Sequence, residues 1–181
     1  LQANLYTLNP NNGEATFLRK LIADPSDTTD GNASFTQIMG DANLITVNFN
    51  PAADRLRVIS NTGQNLRINV DTGATITDGT INLATGTAAV VAGAYTNAFA
   101  GTGSTKLYSI DQNSDRIYLQ NANVGTLGNS TALGADINTN GGGGFDIDPV
   151  SNVGFAALKL ASGNYKFFKL NLANVGTSSD A

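Results

Sequence analysis

Apolar and polar residues alternate with a period of two along most of this chain, which predicts short strands with one face turned inward. The alternation marks strands at Leu56 and Val58, at Leu66, Ile68 and Val70, and at Leu107 and Ile110. It continues at Ile117 and Leu119, Phe145 and Ile147, Phe155 and Ala157, and Phe168, Leu170 and Leu172, with Leu5 and Leu8 flanking Tyr6 near the start. Between these segments stand Asn11-Asn12-Gly13, Asn61-Thr62-Gly63, Asp71-Thr72-Gly73, Gln112-Asn113-Ser114-Asp115 and Ser162-Gly163-Asn164. Each can supply the positive φ of a hairpin turn. No stretch holds apolar residues at helical spacing over three turns, although Ser34 to Leu44 could form one short helical turn. An all-β fold follows.

The strands recur as a unit. An aromatic-centred strand (Val47 to Asn50, Gly93 to Asn97, Gly144 to Asp148) leads to a second (Arg55 to Ile59, Lys106 to Ile110, Val153 to Leu158) and a third (Asn65 to Val70, Arg116 to Leu119, Tyr165 to Leu170). Fourth strands are expected at Gly73 to Asp78, Val124 to Asn129 and Ala173 to Ser178. Four-stranded antiparallel meanders repeated every 40–50 residues or so are the signature of β-propeller blades. The expected fold is therefore a single β-propeller-like domain over residues 1–181. Its first unit differs, because Leu5 to Leu8 aligns with third strands and Gly13 to Leu18 with fourth strands. Half a blade leaves an open edge that invites a strand from elsewhere. Either the segment Ile22 to Thr46 supplies the missing strands, or a neighbouring subunit does.

Composition narrows the function. Only 13% of the 181 residues are charged, while 41% are hydrophobic, which suits many tight turns and a real core. The net charge of −4, with ten scattered basic residues, gives no footprint for a phosphate backbone, so no nucleic-acid partner is expected. Cysteine, histidine and tryptophan are absent, which removes disulfides, thiolate or imidazole metal ligands and any histidine-based relay from this chain. No run of eighteen apolar residues is present, and no basic-then-apolar start, so neither membrane insertion nor a signal peptide is expected. Low charge with abundant Gly, Thr and Asn is similar to bacterial surface and secreted proteins, and an extracellular or cell-surface location is expected.

Three groups could carry chemistry. Asp111, Asn113 and Asp115 stand at alternate positions like the opening ligands of a calcium loop, but the following glycine and the downstream glutamate are missing. Hairpin-turn hydrogen bonding accounts for the same residues, so no cofactor is expected beyond this calcium reading. Arg55, Arg57 and Arg67 form the one basic concentration and could grip the carboxylates of an anionic glycan. Alternatively they tie adjacent strands, with Asp54 and Asp71 as natural partners. Asp146 and Asp148 share a strand face and could work as an acid/base pair, or simply cap the turn at Pro149. The tyrosines at 6, 95, 108, 118 and 165 offer sugar-stacking platforms, yet their repeat positions suit packing between sheets. The run Gly141 to Gly144 precedes a strand and lacks the residues of a phosphate loop; the sequons at Asn32 and Asn129 carry little weight in an Asn- and Thr-rich chain.

Phe49-Asn50-Pro51-Ala52-Ala53-Asp54-Arg55-Leu56-Arg57-Val58, followed by Asn61-Thr62-Gly63-Gln64-Asn65-Leu66-Arg67-Ile68-Asn69, resembles a bacterial domain family of unknown function, the one numbered four-three-nine-four. Ala94-Tyr95-Thr96-Asn97 leading to Leu107-Tyr108, and Gly143-Gly144-Phe145-Asp146-Ile147, resemble the same family. The resemblance implies an exported, propeller-like protein with no established catalytic residues. It also implies a strand-rich segment ahead of Leu5-Tyr6-Thr7-Leu8, which is not found here.

The expected function is that of a non-enzymatic extracellular structural or adhesive protein, self-assembling into a filament or surface layer by strand pairing between subunits. The alternatives are a carbohydrate-binding module and, with less behind it, a carboxylate-dependent lyase or hydrolase.

Overall fold

The structure is a computed structural model and describes residues 3–27, 34–138 and 142–176. Its described residues form fourteen strands and two short 3-10 turns, with no α-helix. β1 (Asn4–Leu8) and β2 (Ala15–Lys20) make a two-stranded antiparallel sheet. β3 (Ile22–Ala23), β4 (Ile45–Asn50), β5 (Arg55–Ser60), β6 (Asn65–Ile68) and β7 (Ala74–Thr77) make a five-stranded sheet in the order β3-β7-β6-β5-β4. β8 (Val90–Tyr95), β9 (Leu107–Asp111), β10 (Arg116–Gln120) and β11 (Leu127–Ala132) form a four-stranded meander. β12 (Gly143–Ile147), β13 (Val153–Lys159) and β14 (Tyr165–Asn171) form a three-stranded one.

The turns show which strands are equivalent. β1–β2, β6–β7 and β10–β11 are joined by the same Asn-x-x-x-Gly turn: the glycine N–H donates to the asparagine carbonyl at 2.8 Å in Asn9–Gly13, Asn69–Gly73 and Asn121–Gly125. Asparagine also accepts through Oδ1 from a turn N–H in all three, which fixes the reversal without help from distant contacts. β5–β6 and β13–β14 share a different turn, with Gly63 and Gly163 donating to Ser60 and Leu160. β1–β2 thus shares its turn with the hairpins β6–β7 and β10–β11, and it stands in a sheet of two strands.

Each sheet packs face to face on the next. Leu21, Phe35, Leu56, Val58, Leu66 and Ile68 form a core beside the first hairpin, joined by Leu5. Ile59 meets Ile81, Val90, Tyr95, Leu107, Tyr118 and Leu127 between the five- and four-stranded sheets. A larger cluster, including Ala92, Ala94, Ile110, Phe145, Ile147, Ala156 and Leu158, fills the space before β12–β14. β8 is buried along its whole length, and its small residues Ala92, Gly93 and Ala94 let neighbours approach from both sides. On one side Gly93 N–H donates to Thr46 Oγ1 (2.8 Å) and Tyr95 N–H to Asn48 Oδ1 (3.1 Å) of β4. On the other, Asn97 and Asn152 exchange hydrogen bonds at 3.0 and 2.9 Å across the gap to β13.

Three expectations change and one holds. The segment Ile22 to Thr46 does not extend the first hairpin; its short β3 pairs parallel with β7, because Gly73 lacks the side chain that would block the Lys20 carbonyl. The one short helical turn expected within Ser34 to Leu44 is present, as a 3-10 turn at Ala42–Leu44. The fourth strand expected at Ala173 to Ser178 is replaced, as far as Gly176, by a 3-10 turn at Leu172–Asn174 that runs into a hydrogen-bonded turn at Val175 and Gly176; residues 177 and 178 lie outside the described residues. In β13 the phase is reversed: Gly154, Ala156 and Leu158 point inward while Phe155 is exposed. The Phe145 ring occupies the space that any side chain at Gly154 would need.

Gly125 and Gly86 both have positive φ, but only Gly125 lies against backbone, with the Gly79 and Thr80 carbonyls where a Cβ would sit. Gly86→Ala should cost only the backbone term of about 1–2 kcal/mol. Gly125→Ala should cost more than twice as much, read as the shift in urea midpoint; equal losses would contradict the close approach of the two sheets at this turn.

Candidate functional site

β5 and β6 turn Arg57, Asn65 and Arg67 to the face opposite Leu56, Val58, Leu66 and Ile68, toward β8–β11. Arg57 is buried and bonded through all three guanidinium nitrogens: Nε donates to Tyr95 Oη (3.2 Å), Nη1 to Asn65 Oδ1 (2.8 Å) and Asp78 Oδ2 (2.6 Å), and Nη2 to Asn123 Oδ1 (3.0 Å). Arg67 makes a fork to the same carboxylate, at 2.8 Å to Oδ1 and 3.0 Å to Oδ2. Asn65 extends the network by donating to the carbonyls of Gly79 and Ala122. Tyr95, Ala122 and Asn123 belong to the next sheet and its turn, so one guanidinium spans the seam between two sheets. The forked bond to Asp78 raises the pKa of Arg67, against the opposing effect of burial.

The partners expected for these arginines, Asp54 and Asp71, are not the ones used. Asp54 and Asp71 are exposed turn residues, and it is their carbonyls that accept, from Arg55 and Arg19 respectively. The partner is Asp78, which the β6–β7 hairpin sets beside Asn65: Asp78 N–H donates to the Asn65 carbonyl. Register, traced outward from the Asn69–Gly73 turn, was the available signal for it. Asn123 and Tyr95, from the next unit, carried none. Arg57 is therefore enclosed by protein partners, while the side chain of Arg67 keeps 30% exposure and Arg55 lies apart at the β4–β5 turn.

The calcium-like triplet is divided among separate bonds. Both Asp111 oxygens are occupied, by Ala89 N–H (2.5 Å) and by Ser114 N–H and Oγ (3.0 and 2.5 Å). Asp115 accepts from Ile137 N–H at 2.7 Å, and Asn113 donates to the Thr87 carbonyl. No three acidic side chains among the described residues are grouped to share a metal. Asp148 caps its turn, accepting from Val150 and Ser151 N–H and from Ser151 Oγ, and these bonds hold its carboxyl below the usual carboxylate range. Asp146 is exposed on β12. Tyr95, Tyr108 and Tyr118 are buried, whereas Tyr6 and Tyr165 are exposed. Gly141 and the Asn32 sequon lie outside the described residues.

Two further features were not anticipated. A two-lobed cleft runs across the strand ends of β8–β11. One lobe, of about 610 Å³, faces β13 and β14 and includes Tyr108 and Asn152. The other, of about 590 Å³, faces β4 and includes Asn50 and Gln120, and Thr105, Lys106, Leu119 and Asn129 line both. The second feature is apolar surface on the outward faces of the first and last sheets. Tyr6 and Phe17 make an edge-to-face pair, 5.8 Å between centroids, beside exposed Leu8. Across the molecule Phe167 is 85% exposed, with Tyr165 and Phe155 next to it.

Comparison with known protein families matches residues 1–180 to the family described as Domain of unknown function (DUF4394). No curated protein matches the chain. No helix among the described residues is long and apolar enough to cross a membrane.

Removing one partner of a buried ion pair costs about 3–5 kcal/mol, because the other charge is left behind. Asp78→Ala and Arg57→Ala should fall in that range by chemical denaturation. Arg67→Ala should cost less than half as much, since Asp78 keeps Arg57, and Arg55→Ala should fall within about 0.5 kcal/mol of wild type. Equal losses at all four positions would remove Asp78 from the centre of the network. For Asp148, whose folded pKa is depressed, the contribution is present above the unfolded carboxylate range and lost as pH falls through the folded value. Asp148→Asn should therefore flatten the fall in stability below about pH 4, measured by urea titrations across that range.

Proposed function

Because the chain belongs to the DUF4394 family, whose description assigns no activity, we propose from its own geometry that it is a non-enzymatic structural protein of the cell exterior that assembles by end-to-end sheet packing. The observation behind this reading is the pair of open apolar faces on the first and last sheets. Interior sheets are covered on both sides except along β4, where Val47 and Phe49 are exposed, and contiguous exposed aromatic surface on a sheet marks an interaction site. We read the face-to-face sequence of meanders, with β4, β8 and β12 as neighbouring first strands, as a propeller-like arc. In such an arc the two end faces are where the next sheet belongs.

A second copy of this chain fits both ends. Strand register puts Lys20 on the same face as Tyr6, Phe17 and Leu8. Register likewise puts Asp146 and Lys169 beside Phe155, and Phe167 one pair further along. Lys20 of one copy would then face Asp146 of the next, beside an aromatic centre. The two faces differ from one another, so the contact is heterologous and propagates unless its rotation closes a ring. Low charge and the Gly-, Thr- and Asn-rich composition support the exterior location.

Negative-stain microscopy and sedimentation over a concentration series should show elongated particles whose fraction grows with concentration. Phe167→Asp and Phe17→Asp, both at exposed positions, should leave the thermal midpoint nearly unchanged and hold the protein as single particles. A wild type that stays monomeric throughout would overturn the reading. Assembly that survives both substitutions would move the interface elsewhere.

A further inference from the structure

Hydrogen-bond donors and acceptors are unevenly used in the two-lobed cleft. Many of its amide acceptors are already engaged. Asn50 Oδ1 accepts from Ala52 and Ala53 N–H, Asn121 Oδ1 from Val124 N–H, and Asn97 Oδ1 from Asn152 Nδ2. Three donors are not. The Lys106 ammonium is exposed at the ridge common to both lobes, and no group among the described residues accepts from it. Tyr108 lines the lobe facing β13 and β14; its hydroxyl has no hydrogen-bond partner among the described residues, and burial raises its pKa, which keeps the proton in place. Gln120 lines the other lobe, where it is 4% exposed. Its Oε1 accepts from Ser109 Oγ at 2.6 Å, and its Nε2 is buried without a partner. Rotating that amide by half a turn would only exchange which of its atoms is left over.

A cleft that offers donors, has many of its amide acceptors occupied and holds one cation favours a ligand rich in acceptors and negatively charged. No carboxylate lines either lobe among the described residues, so Lys106 is uncompensated there within a chain of net charge −4. Each lobe is within the size range of small-molecule sites and holds a sugar ring or two, and Leu119 with the Tyr108 ring gives an apolar surface for the C–H face of a pyranose. One lysine is too few for a nucleic-acid strand, whose binding depends on neutralising several phosphates.

We infer that this cleft binds an acidic saccharide with one carboxylate per sugar, a uronate chain, lying across both lobes. Lys106 takes a carboxylate, and the Gln120 amide and Tyr108 hydroxyl donate to hydroxyl or ring oxygens on either side. The site is separate from the arginines that first suggested glycan recognition: none of them lines either lobe, and Arg57 is buried among its protein partners.

The test is titration calorimetry of the single-particle protein with an oligogalacturonate of about six sugars, which would span two adjoining sites of this size. The same oligomer with its carboxylates methyl-esterified is the control. The acid form should bind, and both esterification and Lys106→Met should weaken binding by about tenfold or more. Lys106→Arg should restore much of the loss, and Gln120→Leu should weaken binding several-fold with the thermal midpoint held. Equal binding of ester and acid would overturn the carboxylate assignment. Wild-type affinity in both Lys106→Met and Gln120→Leu would overturn the site, as would no heat with either oligomer at millimolar concentration.

Discussion

A β-sheet that is apolar on both faces has to be covered twice, and most of this structure follows from that constraint. The four-stranded sheet β8–β11 meets it, with Tyr95, Leu107 and Tyr118 packed to one side and Ile110, Ile117 and Tyr108 to the other. Fully burying such a side chain contributes about 1.5–3 kcal/mol, so losing either cover would be costly. The five-stranded sheet also has both faces occupied, by the first hairpin with its flanking segment and by β8–β11. The outermost sheets each have an uncovered side, which carries Phe17 and Tyr6 on one and Phe167 and Phe155 on the other, and β4 at the edge of the five-stranded sheet exposes Val47 and Phe49.

The seams between sheets are not equivalent. Between β8–β11 and β12–β14 the contact is largely apolar, whereas the preceding seam has the Arg57–Asp78–Arg67 cluster beside its apolar residues. An apolar contact between flat sheets tolerates sliding. A guanidinium with separate acceptors on Asn65, Asp78, Tyr95 and Asn123 does not, because a shift of one residue would strand several buried polar groups at once. A buried ion pair is weak evidence for extra stability. Its contribution here is to the relative register of two units.

Local features were the legible part of the sequence. The Asn-x-x-x-Gly turns and the two-residue alternation are short-range, and they placed most strands and set β1–β2 in line with β6–β7 and β10–β11. Relations between units were harder to read. The inward phase of β13 depends on the Phe145 ring of a neighbouring strand lying over Gly154, and sequence alternation alone put Phe155 inside. Likewise Arg57 was visible as a cationic residue, but its acceptors lie eight, 21, 38 and 66 positions away. The parallel pairing of β3 had no periodic signal, since it is two residues long. The cleft was invisible for the same reason: Asn50, Lys106, Gln120 and Asn152 come from different strands and turns.

The end faces and the cleft use different residues. Tyr6, Phe17, Phe155 and Phe167 lie on the first and last sheets, while Lys106, Tyr108 and Gln120 lie on the sheet between. Covering the ends with further copies would therefore leave the donors of the cleft in place and repeat them at a fixed spacing. A single ammonium with two neutral donors holds one short sugar segment weakly, because exposed charge pairs contribute little in salt. Repeated along a polymeric ligand, the same contact becomes intramolecular after the first engagement, and avidity rises without any new contact. A weak saccharide site and an open-ended assembly would then act together, the first giving the chemistry of attachment and the second giving its strength.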